Sequence, residues 1–224
     1  MVDENLLEKY KWFFPPEDPN DVAAWDKYWM DQVSHGFGPL LFDIFCHDRD
    51  LIQVMFDEGM KNVLCAANGM SQEPKALAVV GFQVVALDFS SVALKISTSW
   101  KLDSKGLEIF CDPKWRHEWG HLEYVVGNIL DPAVCPGPFD VIIERRTSQL
   151  LPEEQKAVFL EALAKRLSPE GILFCHSHDA RGGPFTETKH FSRTWFDKNN
   201  WNIWNGGPGK KPKGQVAWLQ VTSG

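Results

Sequence analysis

Apolar positions along this chain gather into short unbroken runs separated by helical and polar stretches. Val63–Ala67, Val84–Leu87, Leu122–Val126, Phe139–Ile143 and Ile172–Cys175 are five runs of strand length. Continuous apolar strands of this kind suit a parallel sheet buried on both faces. Between them, Gln72–Val80, Ser91–Ser99 and the segment PEEQKAVFLEALAKRL from Pro152 read as helices. The last carries acids in its first turn and Lys165-Arg166 in its last, as the helix dipole favours. The alternation predicts an α/β fold with a Rossmann-like, doubly wound, mostly parallel sheet. It ends in a change of pattern: Trp201–Trp204 and Val216–Val221 flank a loop rich in Gly, Pro and Lys, which predicts a C-terminal antiparallel hairpin.

Residues 1–60 precede the first strand and read as helical. Pro15, Pro16 and Pro19 break the first segment, Asn20 or Asp21 can cap the next, and Trp25, Trp29 and Val33 recur at helical spacing. Another helix starts within Phe37–Phe45. Over a doubly wound sheet, an aromatic leader serves either as a lid on the ligand crevice or as plain packing, and both readings stand for Trp25 and Trp29. The whole chain, 1–224, reads as one domain, with its sheet core in 61–224.

The chemistry starts at the first turn. After Val63–Ala67 the chain breaks at Asn68-Gly69, and the second run ends on a carboxylate, Asp88. In open α/β sheets ligands bind outside the carboxyl ends of such strands. A dinucleotide would require GxGxxG at this turn, and only Gly69 is present. S-adenosylmethionine, a nucleoside without phosphates, needs less: one close backbone approach and an acid for the ribose hydroxyls. Gly69 and Asp88 meet both needs, although a tight-turn glycine and a helix-capping acid would look the same.

Asn128 and Ile129 follow the third strand, where a polar and an aliphatic side chain can bond and cover an adenine ring; a strand-ending turn with Asn128 in a left-handed backbone is the alternative. Glu144-Arg145-Arg146 follow the fourth. Three charges directly after a buried strand point to a substrate side, with Glu144 as acid or base and Arg145 or Arg146 holding an anionic or π-rich group. An internal ion pair closing the strand end is the other reading. His176, His178 and Asp179 follow the fifth strand; they read as a polar strand end more readily than as metal ligands, and His178 or Asp179 is a candidate acid or base beside the substrate. HEWGH, His117–His121, matches a zinc-protease pattern, but Pro113, Gly120 and the following strand oppose the long helix it needs, and no metal is expected.

A net charge of −7 disfavours nucleic acid, which is held by Lys and Arg on phosphates, and favours a small-molecule substrate. Lys210, Lys211 and Lys213 read as a solvated loop tip. Five cysteines without a CxxC suit reduced thiols. The start, MVDENLLEKYKWFF, is acidic where a signal peptide is basic, and no apolar run approaches membrane-spanning length. The expectation is a cytoplasmic protein with no membrane or nucleic-acid partner; monomer and homodimer are both open.

The order of elements over Asn62–Val221 resembles the class I S-adenosylmethionine-dependent methyltransferases. Within them the chain is similar to the thiopurine and tellurite-resistance methyltransferase group. The resemblance is carried by WDKYW (Trp25–Trp29), VVALDFS (Val84–Ser90), FDVIIERRTSQLLP (Phe139–Pro152) and HDARGGPF (His178–Phe185). It implies S-adenosylmethionine as cofactor, with Cys65, Ala66, Ala67, Asn68 and Gly69 at the methionine part, Asp88 and Phe89 at ribose, and Asn128 and Ile129 at adenine. Glu144, at the cofactor edge, would act with Arg145 and His178 on the reacting side, and Trp25, Trp29, Arg145 and Arg146 would face the substrate. The first loop departs from the family: an acid and two or three glycines are replaced by Cys65-Ala66-Ala67-Asn68-Gly69-Met70-Ser71. Two other functions share this pattern, a ligand-binding protein without turnover and an NAD(P)-dependent oxidoreductase.

Overall fold

The computed structural model describes residues 14–38, 49–101, 120–177, 191–192 and 215–221. The five expected strands form as β1 (Asn62–Ala66), β2 (Gln83–Asp88), β3 (His121–Val126), β4 (Phe139–Arg145) and β5 (Leu167–Ser177). They lie side by side in the order β3-β2-β1-β4-β5, and every neighbouring pair is parallel. The strand order reverses between β1 and β4, so the loops after β1, β2, β3 and β4 all open at one edge of the sheet.

Helices cover both faces because the strands are apolar on both. On one face, α2 (Arg49–Asp57) and α3 (Glu73–Val79) bury Ile52, Met55 and Leu77 against Val63, Val84, Ile143 and Phe174. On the other, α5 (Glu153–Ala164) buries Phe159, Leu160 and Leu163 against Leu64, Ile142 and Leu173. Residues that alternate along β1 and β4 therefore serve opposite cores. Helix α4 (Ser91–Ser99) follows β2 and is capped by Ser90, whose Oγ accepts from Ala93 N at 3.0 Å. Helix α1 (Val22–Ser34) is capped by Asp21, which accepts from Ala24 N at 3.0 Å.

Several boundaries differ from the expected ones. β4 runs two residues further and takes Glu144 and Arg145 into the sheet, where they pair with Cys175 and His176 of β5. β5 starts early, at Leu167 opposite Phe139, and a register shift between Phe139 and Val141 absorbs the extra residues. Helix α5 accordingly stops at Ala164, and Arg166 is no dipole-completing surface cation. Arg166 is buried, its guanidinium donating to the carbonyls of Asp131, Val134, Cys135 and Ala162. It ties the segment after β3 to the end of α5.

The expected C-terminal hairpin is not supported: 201–204, its first arm, lie outside the described residues. What is described there is β7 (Gln215–Val221), antiparallel to β5, with the two-residue β6 (Phe191–Ser192) beyond it. The expected helix start near 37–45 also falls largely outside them. HEWGH begins outside them as well, but its last two residues are placed: Gly120 N donates to Ala78 O at 2.9 Å and His121 opens β3. A Cβ at Gly120 would lie 1.9 Å from Phe82 O, so this position is strand entry against β2 and not helix. No helix among the described residues is long and apolar enough to cross a membrane.

Leu64, at 0% exposure in the middle of β1, should report on this core. Leu64→Ala is expected to lower the unfolding free energy by about 2–5 kcal/mol in urea titration, whereas truncating half-exposed Val158 should cost well under half of that.

Candidate functional site

At the carboxyl edge of the sheet lies a cavity of about 710 Å³. Its floor is the loop after β1 and the end of β2, one wall is the segment after β3, another is the segment after β4, and α1 closes the remaining side. Of the expected site residues, Trp25, Trp29, Ala67, Asn68, Gly69, Asp88, Phe89, Asn128, Ile129, Arg145 and Arg146 all line it.

Asp88 is the joint of the site. Its side chain is buried, with Oδ2 accepting from Gly69 N at 2.7 Å and Oδ1 from Ser90 N at 2.8 Å. Burial, with a smaller push from the nearby Asp26 carboxylate, raises its pKa to about 6 against the pull of those amide donors. Ser90 Oγ also donates to Asp26 Oδ1, which ties α1 to the end of β2. The loop above is held in an unusual shape: Ala67 has φ 50° and Gly69 φ 55°. A Cβ on Gly69 would lie 2.9 Å from the Trp29 ring, so glycine serves both the turn and the close approach of α1.

Aromatic rings from α1 cover this floor. Trp25 stacks on Trp29 with centroids 5.8 Å apart, and lies 6.5 Å from the Phe89 ring. The stripe facing the cavity is Val22, Trp25, Tyr28, Trp29 and Gln32, so Val33 is not part of it. Trp29 Nε1 is buried and has no hydrogen-bond partner among the described residues. Asn128 Oδ1 accepts from Leu130 N at 2.9 Å, so the side chain builds a local turn while also bordering the cavity. Its backbone is not left-handed, as the alternative reading required; among the described residues outside glycine, that conformation falls at Ala67, Cys135 and Arg146.

Three expected site residues do not reach the cavity, and one lies outside the described residues. Cys65 points into the core, where burial pushes its thiol pKa well up and the Glu73 charge adds to the rise. Ala66 packs against the opposite core. Glu144 is fully buried and accepts from Thr147 N at 2.5 Å, Ser148 N at 2.9 Å and Ser148 Oγ at 3.0 Å. Burial raises its pKa despite these donors. It anchors the turn Ser148–Leu150 from inside and is not placed to take a substrate proton. His178 lies outside the described residues.

Arg145 lines the cavity, but its guanidinium forks onto Glu73, with Nε 2.7 Å from Oε2 and Nη2 2.8 Å from Oε1. It also lies 5.0 Å over the Phe174 ring. The ion-pair reading of the strand end is the one realised here, with Glu73 of α3 and not Glu144 as the acid. Sequence reasoning also missed Tyr28, Gln32, Thr147, Gln149 and Gln155 as cavity residues. The first two share the Trp25–Trp29 face, a signal present in the sequence. The other three depend on how the turn after β4 folds back, which no local pattern states.

No protein-family model matches the sequence, and no curated protein sequence matches it. Solved structures do. A TehB-like SAM-dependent methyltransferase from Corynebacterium glutamicum superposes with a TM-score of 0.52 at 18% identity, over 92% of this chain and 100% of that one. The PH0226 protein from Pyrococcus horikoshii gives 0.55 at 14%, over 96% and 99%. N-methyltransferase NodS from Bradyrhizobium japonicum, solved with S-adenosyl-L-homocysteine, gives 0.50 at 14%, over 80% and 88%. At these identities the similarity establishes the fold: a Rossmann-like sheet of the kind found in SAM-dependent methyltransferases.

Glu144→Ala is expected to lower stability by about 2–4 kcal/mol, because one buried amide, one half-buried amide and a buried hydroxyl lose their acceptor. Thermal and urea unfolding of Glu144→Ala beside Glu144→Gln, which keeps one acceptor oxygen, should show the glutamine variant much less affected.

Proposed function

We propose that the chain is an S-adenosylmethionine-dependent methyltransferase acting on a small molecule, of the thiopurine and tellurite-resistance type, and that it works in the cytoplasm. The observation that carries this is Asp88, a carboxylate at the tip of β2, bonded to the loop amide of Gly69 at the floor of a 710 Å³ cavity. Each Asp88 oxygen accepts one amide hydrogen, and a carboxylate oxygen can accept a second bond, so both ribose hydroxyls have an acceptor. The Trp29 indole N–H, buried and with no partner among the described residues, adds a donor for a ligand. Fold similarity to NodS, which was solved with S-adenosyl-L-homocysteine, agrees with this ligand class.

The residues present fit the cofactor. Asp88 would hold ribose, Phe89 and Ile129 would cover adenine with Asn128 at its edge, and Ala67–Gly69 would lie along the methionine part. The bound cofactor supplies an electrophilic methyl group on a sulfonium. The chain's own part is to orient and to exclude water: α1 brings Trp25, Tyr28 and Trp29 over the floor as a lid. Among the described residues lining the cavity, Asp88 is the one carboxylate, and none is His, Cys or Lys. Positioning therefore takes a larger share than proton transfer, as suits a soft nucleophile on the acceptor. The substrate-facing group is Trp25, Trp29 and Arg146, with Gln149 and Gln155 beyond them.

Isothermal titration with S-adenosylhomocysteine is the direct test. Micromolar binding that Asp88→Ala weakens by about tenfold or more supports the assignment; no binding by folded wild type refutes it. NADH binding in its place would favour an oxidoreductase, and cofactor binding without transfer to any acceptor would favour a ligand-binding protein.

The raised pKa of Asp88 gives a second test. Hydroxyl donors stabilise the carboxylate form, so the proton competes with the ligand. Affinity should be flat above pH 7 and fall as pH drops through about 6, by up to about tenfold per unit, and Asp88→Asn should flatten the profile.

A further inference from the structure

The cavity extends beyond the part that the nucleoside roles use. Those roles draw on the loops after β1, β2 and β3, whereas the rest of the lining comes from residues 15–22 at the entry to α1, the turn after β4 and the first half of α5. This second part has an apolar body in Pro15, Val22, Leu150, Leu151 and Phe159. Its polar members are uncharged except for Arg146, which is exposed and therefore screened by water. Asp88, the one carboxylate among the described lining residues, is committed to the floor. An apolar pocket with a few placed polar groups takes its specificity from those groups.

Two carboxamides meet at its edge. Asn20 Nδ2 donates to Gln155 Oε1 at 3.4 Å, which joins the segment before α1 to α5. Asn20 is held in place for this contact. Its own amide donates to Asp18 Oδ1 at 2.9 Å, and the neighbouring Pro19 carbonyl accepts from Trp25 Nε1 at 3.2 Å. Two carboxamides can close a ring of two hydrogen bonds, and here one of the two is made. Gln155 Nε2 and Asn20 Oδ1 are left as a donor and an acceptor with no partner among the described residues, and both side chains line the cavity.

We infer that this edge recognises a carboxamide on an apolar, uncharged methyl acceptor, a proposal that rests on the methyltransferase reading. A carboxamide carries the matching pair of groups: its N–H donates to Asn20 Oδ1 and its carbonyl accepts from Gln155 Nε2. Its apolar body is buried against Val22, Leu151 and Phe159. Charged acceptors are selected against. An ammonium would leave water for a place with no carboxylate to meet it, and a carboxylate would set a second oxygen against Asn20 Oδ1.

The test uses the full chain with S-adenosylhomocysteine bound and three probes that share one apolar body: naphthamide, naphthoate and naphthylmethylamine. In ligand-observed NMR titrations, naphthamide should bind about tenfold or more tighter than either charged probe. Gln155→Leu and Asn20→Ala should each weaken naphthamide about threefold or more, the loss of one net hydrogen bond, while S-adenosylhomocysteine stays within about twofold by isothermal titration. Asn20 is exposed and Gln155 partly so, so neither change removes core packing. Equal or tighter binding of a charged probe, no binding of any probe, or an amide preference that survives either substitution overturns the inference and leaves the cofactor assignment standing. Wild type that binds no S-adenosylhomocysteine overturns both.

Discussion

The site depends on one buried carboxylate shared between two amides. Asp88 ends β2, and its hydrogen bonds to Gly69 N and Ser90 N fix the loop after β1 and the start of α4 relative to each other. That acceptor, together with Asn68 N donating to Leu87 O at 2.9 Å, holds the left-handed backbone at Ala67 and Gly69. The strain is local and the restraint comes from the neighbouring strand, so the loop is shaped before any ligand arrives. Burial that makes this charge costly also concentrates its field at the floor of the cavity.

A second layer of restraint comes from groups that never face the cavity. Glu144 sits under the turn after β4 and shapes the wall that carries Thr147 and Gln149. Arg166 gathers carbonyls from the segment after β3 and steadies the wall that carries Asn128 and Ile129. In both cases a charged side chain is spent on backbone groups that have no secondary-structure partner.

Much of the core was legible in the sequence, because strands buried on both faces leave long apolar runs that few other structures produce. The acid at Asp88 and the glycine at Gly69 were legible for the same reason: each interrupts such a run at its carboxyl end. Polar residues beside strand ends were harder. Glu144 and Glu73 look equally available in the sequence, and only the fold shows that the first turns inward to amides while the second reaches Arg145. Charge type is local information, whereas pairing is a property of register. The hairpin expectation relied on 201–204, which lie outside the described residues, and β5 meets β7 directly.

The double use of Ser90 bears on how α1 is joined to the sheet. Its oxygen accepts from Ala93 N to cap α4, while its hydrogen points to Asp26 on α1. The two bonds use different lone-pair and proton positions, so rotating the hydroxyl releases α1 and leaves the cap intact. An outward swing of α1 therefore gives up one charge-assisted bond there, about 1.5–3 kcal/mol, and does not unravel the helix behind it. Beside this bond, α1 meets the scaffold through the Trp29 ring over Gly69 and the Trp25 ring near Phe89.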